Sequence, residues 1–167
     1  MTRQHRQSED DNAATSTIEI HGLPQKISKQ TKDMIALIQS LEKRNFPTSE
    51  ALSVEAEVTK RNTRLLYAQV SSNVVGYLIY IHTPSGLRIH KICVAESSRR
   101  QGIASKLIKT VCEVAQRTGK EIDLWVDEAR IPGRACYSTC GFEQAGDIVV
   151  DYYGTGRNGI RMLWSLD

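Results

Sequence analysis

Cysteine, long apolar runs and blocks of like charge are all scarce in this chain of 167 residues. The four cysteines, Cys93, Cys112, Cys136 and Cys140, form no C-x-x-C pair and have no histidine at zinc-finger spacing. That argues against a zinc module and against a disulfide scaffold, and no metal site is expected. Cys93 and Cys112 fall in apolar periodic segments and read as small core residues. No apolar run approaches the roughly 18 residues of a membrane span. The longest, residues 74–81, is interrupted by Gly76 and suits a buried strand. Lys and Arg number 22 against 19 acidic residues, a net charge of +3, and they are spread along the chain. Nothing in that distribution points to nucleic acid. The first residues lack the apolar stretch of a secretory signal and, with Glu9, Asp10 and Asp11, are too acidic for a transit peptide. The expected compartment is the cytoplasm, with the nucleus open as well.

What is present is an ordinary globular composition, 40% hydrophobic and 25% charged. A chain of this size buries roughly 70% of the surface its unfolded form exposes and folds without staples. Residues 1–16 are polar, without periodicity, and read as a disordered tail; residues 17–167 read as one domain. Residues 17–21 alternate weakly as a first strand. Ile35, Leu37, Ile38 and Leu41 recur at helical spacing over residues 32–44. Thr48 or Ser49 is placed to cap a second helix running to about residue 59. Two apolar runs, 65–70 and 74–82, flank Ser71-Ser72-Asn73 and predict a hairpin. Residues 87–94 alternate, with Arg88, His90, Ile92 and Val94 expected on one face and Leu87, Ile89, Lys91 and Cys93 on the other. A strong helix is predicted from Gly102 to about residue 118, with Ile103, Leu107, Val111 and Val114 as its stripe and Gly119 as its stop. A short strand over 121–126, a helix opened by Pro132 and late strands over 142–153 and 159–166 complete a mixed α/β domain.

The stretch between Val94 and Ala104 carries the chemistry. A strand ends, a short basic loop follows, and an amphipathic helix opens at Gly102. Arg99, Arg100, Lys106 and Lys109 cluster there without an acid among them. The first amides of a helix are unpaired, the dipole is positive at that end, and a glycine lets an anion approach the backbone. This reads as a phosphate or pyrophosphate site. It is neither a P-loop nor a dinucleotide fingerprint, since both glycine patterns are missing.

Arg99-x-x-Gly102-x-Ala104 matches the R/Q-x-x-G-x-G/A motif of the GNAT acetyltransferases. Further on, Tyr137-Ser138-Thr139-Cys140-Gly141-Phe142 resembles their Y-x-x-x-G-F signature. The order of elements also resembles that family over the whole of residues 17–167. The resemblance implies a mostly antiparallel sheet with one splayed parallel strand pair, flanked by helices. It implies an acetyl-CoA-dependent N-acetyltransferase acting on a primary amine by direct attack in a ternary complex. The amides of Gln101, Gly102, Ile103 and Ala104 would hold the pyrophosphate, with Arg99 and Arg100 at the rim. The pantetheine arm would lie along Ile92, Cys93 and Val94, and a strand amide near Val94 would face the oxyanion. Tyr137 would protonate the departing thiolate, and His90 would take the amine proton, with Glu96, Asp127 and Glu128 as rivals. Many relatives carry an Asn where this chain has Arg130, a departure that Arg134 would offset as a coenzyme contact. Tyr152 and Tyr153, with Met162 beyond, resemble the Y-Y…M segment of protein N-terminal acetyltransferases and would touch the acceptor. The acceptor is thus a peptide N-terminus, a lysine or a small amine, and the protein a monomer or a homodimer. A non-catalytic acyl-CoA-binding module or a phosphate-binding regulator stands as the alternative.

Overall fold

A computed structural model describes residues 16–167 of the chain. The polar tail expected over residues 1–16 lies almost wholly outside them. Seven strands form one sheet in the order β1-β2-β3-β4-β5-β7-β6. They are β1 (Ile18–Gly22), β2 (Thr63–Val70), β3 (Asn73–Thr83), β4 (Gly86–Val94), β5 (Ile122–Asp127), β6 (Glu143–Gln144) and β7 (Gly159–Trp164). Every neighbouring pair is antiparallel except β4 and β5. The helices are α1 (Lys29–Asn45), α2 (Val54–Val58), α3 (Ile103–Thr118) and α4 (Ile131–Thr139). None is long and apolar enough to cross a membrane.

Two apolar layers sandwich the sheet. On one side α3 presents Ile103, Leu107, Ile108, Val111, Cys112 and Ala115 to Leu78, Leu87, Ile89, Ile122 and Leu124. The α3 stripe follows the 3.6-residue period, which is why the sequence shows it so clearly. On the other side Ile35, Ile38 and Leu41 of α1 pack with Val54 of α2 against Leu65, Tyr77 and Ile79. Ser28 caps α1, its hydroxyl accepting from the Thr31 amide at 3.2 Å.

Three expectations change. The second helix is a single turn and a half, Val54–Val58, capped by Ser53 rather than by Thr48 or Ser49. Residues 46–53 instead form a strapped loop, in which Gln39 donates to the Leu52 carbonyl and accepts from the Val54 amide. The late strand expected over 142–153 shrinks to Glu143–Gln144, with one further bridge between Val149 and Gly159. Gly146 and Asp151 adopt left-handed backbone there, which breaks the pairing. The alternation of β4 also changes parity midway. Opposite the Ile79/Tyr80 step the register jumps from Lys91 to Ile89, so His90 is an extra, bulged residue. Below the bulge Leu87 and Ile89 face α3; above it Ile92 and Val94 do, and Lys91 and Cys93 turn to α1.

Candidate active site

The bulge coincides with the point where the sheet opens. β4 and β5 pair only at Leu87↔Ile122, Arg88↔Asp123 and Ile89↔Leu124. From His90 onward β4 has no β5 partner, so Ile92, Cys93 and Val94 border a fork between two parallel strands. Above the fork a 3₁₀ turn, Glu96–Ser98, leads to α3. Arg100 and Gly102 both take left-handed backbone, with φ of 62° and 79°. No side chain caps α3, so its first-turn amides point outward from Ile103, Ala104 and Ser105. Successive amides in this conformation make an anion-binding concavity, and the dipole of a 16-residue helix reinforces it. A Cβ built on Gly102 would meet nothing within 4 Å. The glycine therefore serves backbone conformation and open access, not packing.

The residues expected to hold the coenzyme differ in exposure and in partners. Arg100, Gln101 and Gly102 are exposed, Ile103 is buried and Ala104 half-buried. Arg99 is less free than its charge suggests: it donates to the Val94 carbonyl at 3.3 Å and to Asn45 Oδ1 at 3.1 Å. Cys93 points to α1, and burial pushes its thiol up to about 12. Cys112 is likewise pushed up to about 11 by burial. Neither is a thiolate nucleophile. Arg134 donates to the Glu128 carbonyl at 2.9 Å and borders a groove of about 400 Å³ along α4 with Ile131 and Ser138. A surface cavity of about 720 Å³ lies elsewhere, between the end of α1, the start of β3 and residues 95–98.

Tyr137, on α4, is buried in the α3-side layer, edge-on to Phe142 at 5.8 Å between centroids. Burial is the main force raising its pKa above 10, and the neighbouring Cys136 and Tyr153 add to it. Tyr153 is raised to about 12, first by burial. Among the described residues nothing bonds the Tyr137 hydroxyl, which leaves its proton available. Tyr152 stacks on Trp125 at 4.2 Å with planes 12° apart. Gly159 makes room for it: a Cβ there would lie 2.7 Å from Tyr152 Cβ.

His90 holds an exposed position at the bulge. Partial desolvation lowers its pKa below 6.5, Lys60, Lys91 and Arg88 act in the same sense, and Glu57 opposes. Two of its three rivals are occupied, while Glu96 is exposed at the start of the 3₁₀ turn. Asp127 accepts from the Ala129 amide at 3.0 Å and from Arg157 at 2.9 Å, contacts that hold its carboxyl below the usual range. Glu128 accepts from Asn158 at 2.9 Å.

Several residues at the fork were not legible in sequence. Glu42 is fully buried and pairs with Lys91, whose ammonium also donates to the Glu50 carbonyl and lies 3.8 Å over the Phe46 ring. The Glu50 side chain meets Arg130 and Arg157, each at 2.9 Å. These contacts tie the loop before α2 to the loop before β7 across the mouth of the fork. They join residues far apart in the chain, so no local spacing announces them.

The sequence matches the model of the acetyltransferase (GNAT) family over residues 31–142. The chain belongs to that family. It is an acetyl-CoA-dependent acetyltransferase. No sequence match was found among curated proteins. Solved structures share the fold at low identity. The Escherichia coli ribosomal-protein-S18-alanine N-acetyltransferase superposes with a TM-score of 0.73 at 16% identity, covering 90% of this chain and 96% of that one. The Enterococcus faecium aminoglycoside 6′-N-acetyltransferase gives 0.72 at 16%, covering 87% and 96%. An aminoglycoside 6′-N-acetyltransferase complexed with coenzyme A gives 0.67 at 18%, covering 88% and 95%. This GNAT chain thus keeps the family's single splayed parallel pair within a seven-stranded sheet.

Proposed function

We propose that the protein transfers an acetyl group from acetyl-CoA to a primary amine, the two substrates meeting at the fork from opposite faces of the sheet. The observation that carries this is the uncapped, left-handed opening of α3 directly above the β4–β5 fork. Acetyl-CoA supplies an activated acyl carbon and a thiolate leaving group. The amides of residues 101–104 bind the pyrophosphate, and Ile92–Val94 give the pantetheine a strand edge to pair with. Arg100 adds charge at the rim, and Arg134 lies along the coenzyme's outer path. Tyr137 donates its proton to sulfur as the new C–N bond forms and the C–S bond breaks, then regains one from solvent. The proton lost by the amine passes to His90 or, through it, to water. Tyr152 and Tyr153 wall the acceptor side. The decisive experiment is mass spectrometry of products from acetyl-CoA with peptides, lysine derivatives and small amines. Coenzyme binding without any acetylated product would leave only a binding module.

Two predictions attach to this reading. Gly102→Val forces a β-branched residue into left-handed backbone and sets a side chain before the first-turn amides. It should raise the acetyl-CoA Kd about tenfold, or about 1.4 kcal/mol. Unchanged affinity by calorimetry would move the pyrophosphate elsewhere. For His90 the lowered pKa fixes the sign of the pH effect. The imidazole is neutral, and able to accept a proton, at pH 7 and above. The acidic limb of kcat/KM should therefore fall below 6.5, not at it. His90→Gln should remove that limb and cost most on lysine-type amines, whose pKa is near 10.4, and least on α-amines near 7.7–8.0. Equal small losses on both classes would make His90 structural.

A further inference from the structure

On the side of the sheet away from α3, α1 and α2 cover β2, β3 and the upper part of β4, and among the described residues no helix packs on β5 and β7 there. The residues that line this open area are Arg88 on β4, Asp123 and Trp125 on β5, and Arg161 on β7. Their alternation with Leu124, Val126 and Met162 of the α3-side layer places them here. Arg88 donates to both Asp123 oxygens, at 2.8 and 2.7 Å. Arg161 donates twice to Asp123 Oδ2, at 3.1 and 3.0 Å. Burial opposes ionisation of Asp123, yet the two guanidinium groups together hold its pKa below the usual value.

One buried carboxylate thus fixes two arginines. Each arginine side chain remains about two-fifths exposed, at 41% and 42%. A guanidinium has five N–H donors, and each uses only two here. The remaining donors face the open area with a net charge of one cation. The stacked rings of Trp125 and Tyr152 stand beside them, and Tyr152 lies close enough to Arg88 to influence its charge. Most of the other charges near this area are paired. Glu50 and Asp127 are held by Arg130 and Arg157, and Glu57 by Lys60; Glu128 accepts from the neutral Asn158 and keeps its charge at the edge of the area. His90, the remaining neighbour, is biased toward neutrality. Two held arginines with unused donors are placed to take an anion.

We propose that the acceptor is an amine that also bears a carboxylate, and that Arg88 and Arg161 bind that carboxylate while the amine reaches the fork. This deepens the acetyl-transfer reading and rests on it. Arg88 is one residue below the last paired position, and Ile92 lies roughly 13 Å beyond Arg88 along the strand at about 3.3 Å per residue. In a peptide acceptor, an acidic side chain at the second or third residue spans that distance.

The test is kcat/KM, measured with the full chain and acetyl-CoA on matched acceptor pairs. The pairs are Ala-Glu-Gly-amide against Ala-Gln-Gly-amide, Ala-Gly-Glu-amide against Ala-Gly-Gln-amide, and 4-aminobutyrate against 4-aminobutyramide. In at least one pair the acid should be used about tenfold better, and raised salt should shrink the ratio. Arg88→Gln and Arg161→Gln should each bring that ratio close to one, and Arg161→Lys should keep part of it. Equal use of acid and amide in every pair by the wild-type enzyme, with products formed, would overturn the carboxylate proposal and leave the transferase standing. So would a preference that survives in both Gln variants. Absence of product from every pair and from the wider amine panel, with coenzyme still bound, would overturn the transferase reading itself.

Discussion

Tyr137→Phe should lower kcat about 10²-fold while leaving acetyl-CoA affinity near normal. The substitution keeps the ring edge-on to Phe142 and within the α3-side layer, so packing is preserved. What disappears is a hydroxyl with no protein partner among the described residues. Burial keeps that hydroxyl protonated throughout the working pH range. The loss should therefore be the same at pH 7 and pH 9, since no titration of Tyr137 falls between them. A thiol leaving group with a pKa near 8.5 gains from such a donor. Stopped-flow thiol release with the best amine is the measurement, and a fully active Phe variant would reduce Tyr137 to packing.

Glu42→Ala should produce the largest loss of stability. It removes the partner of Lys91 within the α1-side layer, where the Lys91 side chain is only 13% exposed. It also frees the Leu52 amide, which Glu42 Oε1 accepts at 3.0 Å. Stranding one member of a buried pair costs about 3–5 kcal/mol. For a chain of this size that is a Tm drop on the order of 10 °C. Glu42→Leu combined with Lys91→Met should recover most of it, because a packed apolar pair needs no charge balance. A single-variant loss under about 1 kcal/mol by urea denaturation would show the pair to be solvated in practice.

Readability from sequence followed the range of the interactions. α3 declares itself because its stripe, its opening glycine and its closing glycine are all local signals. The β2–β3 hairpin does so for the same reason. The loop before α3 also reads correctly as a strand-to-helix turn opened by a glycine, which takes left-handed backbone there. Lys91 is the opposite case. By strict alternation it belongs with Leu87 and Ile89, and only the pairing of β4 with β3 shows that an extra residue has turned it toward Glu42. Residues 145–153 misled in another way. Their apolar content suggested a strand, but Asp151 accepts from the Gly156 amide at 2.6 Å and closes a turn that sheet pairing cannot match. The Asp123 cluster joins three strands, and its members are individually unremarkable charged residues.

The extra residue at position 90 works within β4 as a one-residue frameshift does within a reading frame. Upstream of it the odd positions serve α3, and downstream the even ones do. Substitutions at His90 leave both frames intact, so many side chains will fit there at little structural cost. Deleting the residue is different in kind. It would join Ile89 directly to Lys91, leave every other side chain on its present face, and straighten β4 toward further pairing with β5, which closes the fork. Among related chains the extra residue should therefore be kept wherever the fork is kept, whatever side chain it carries.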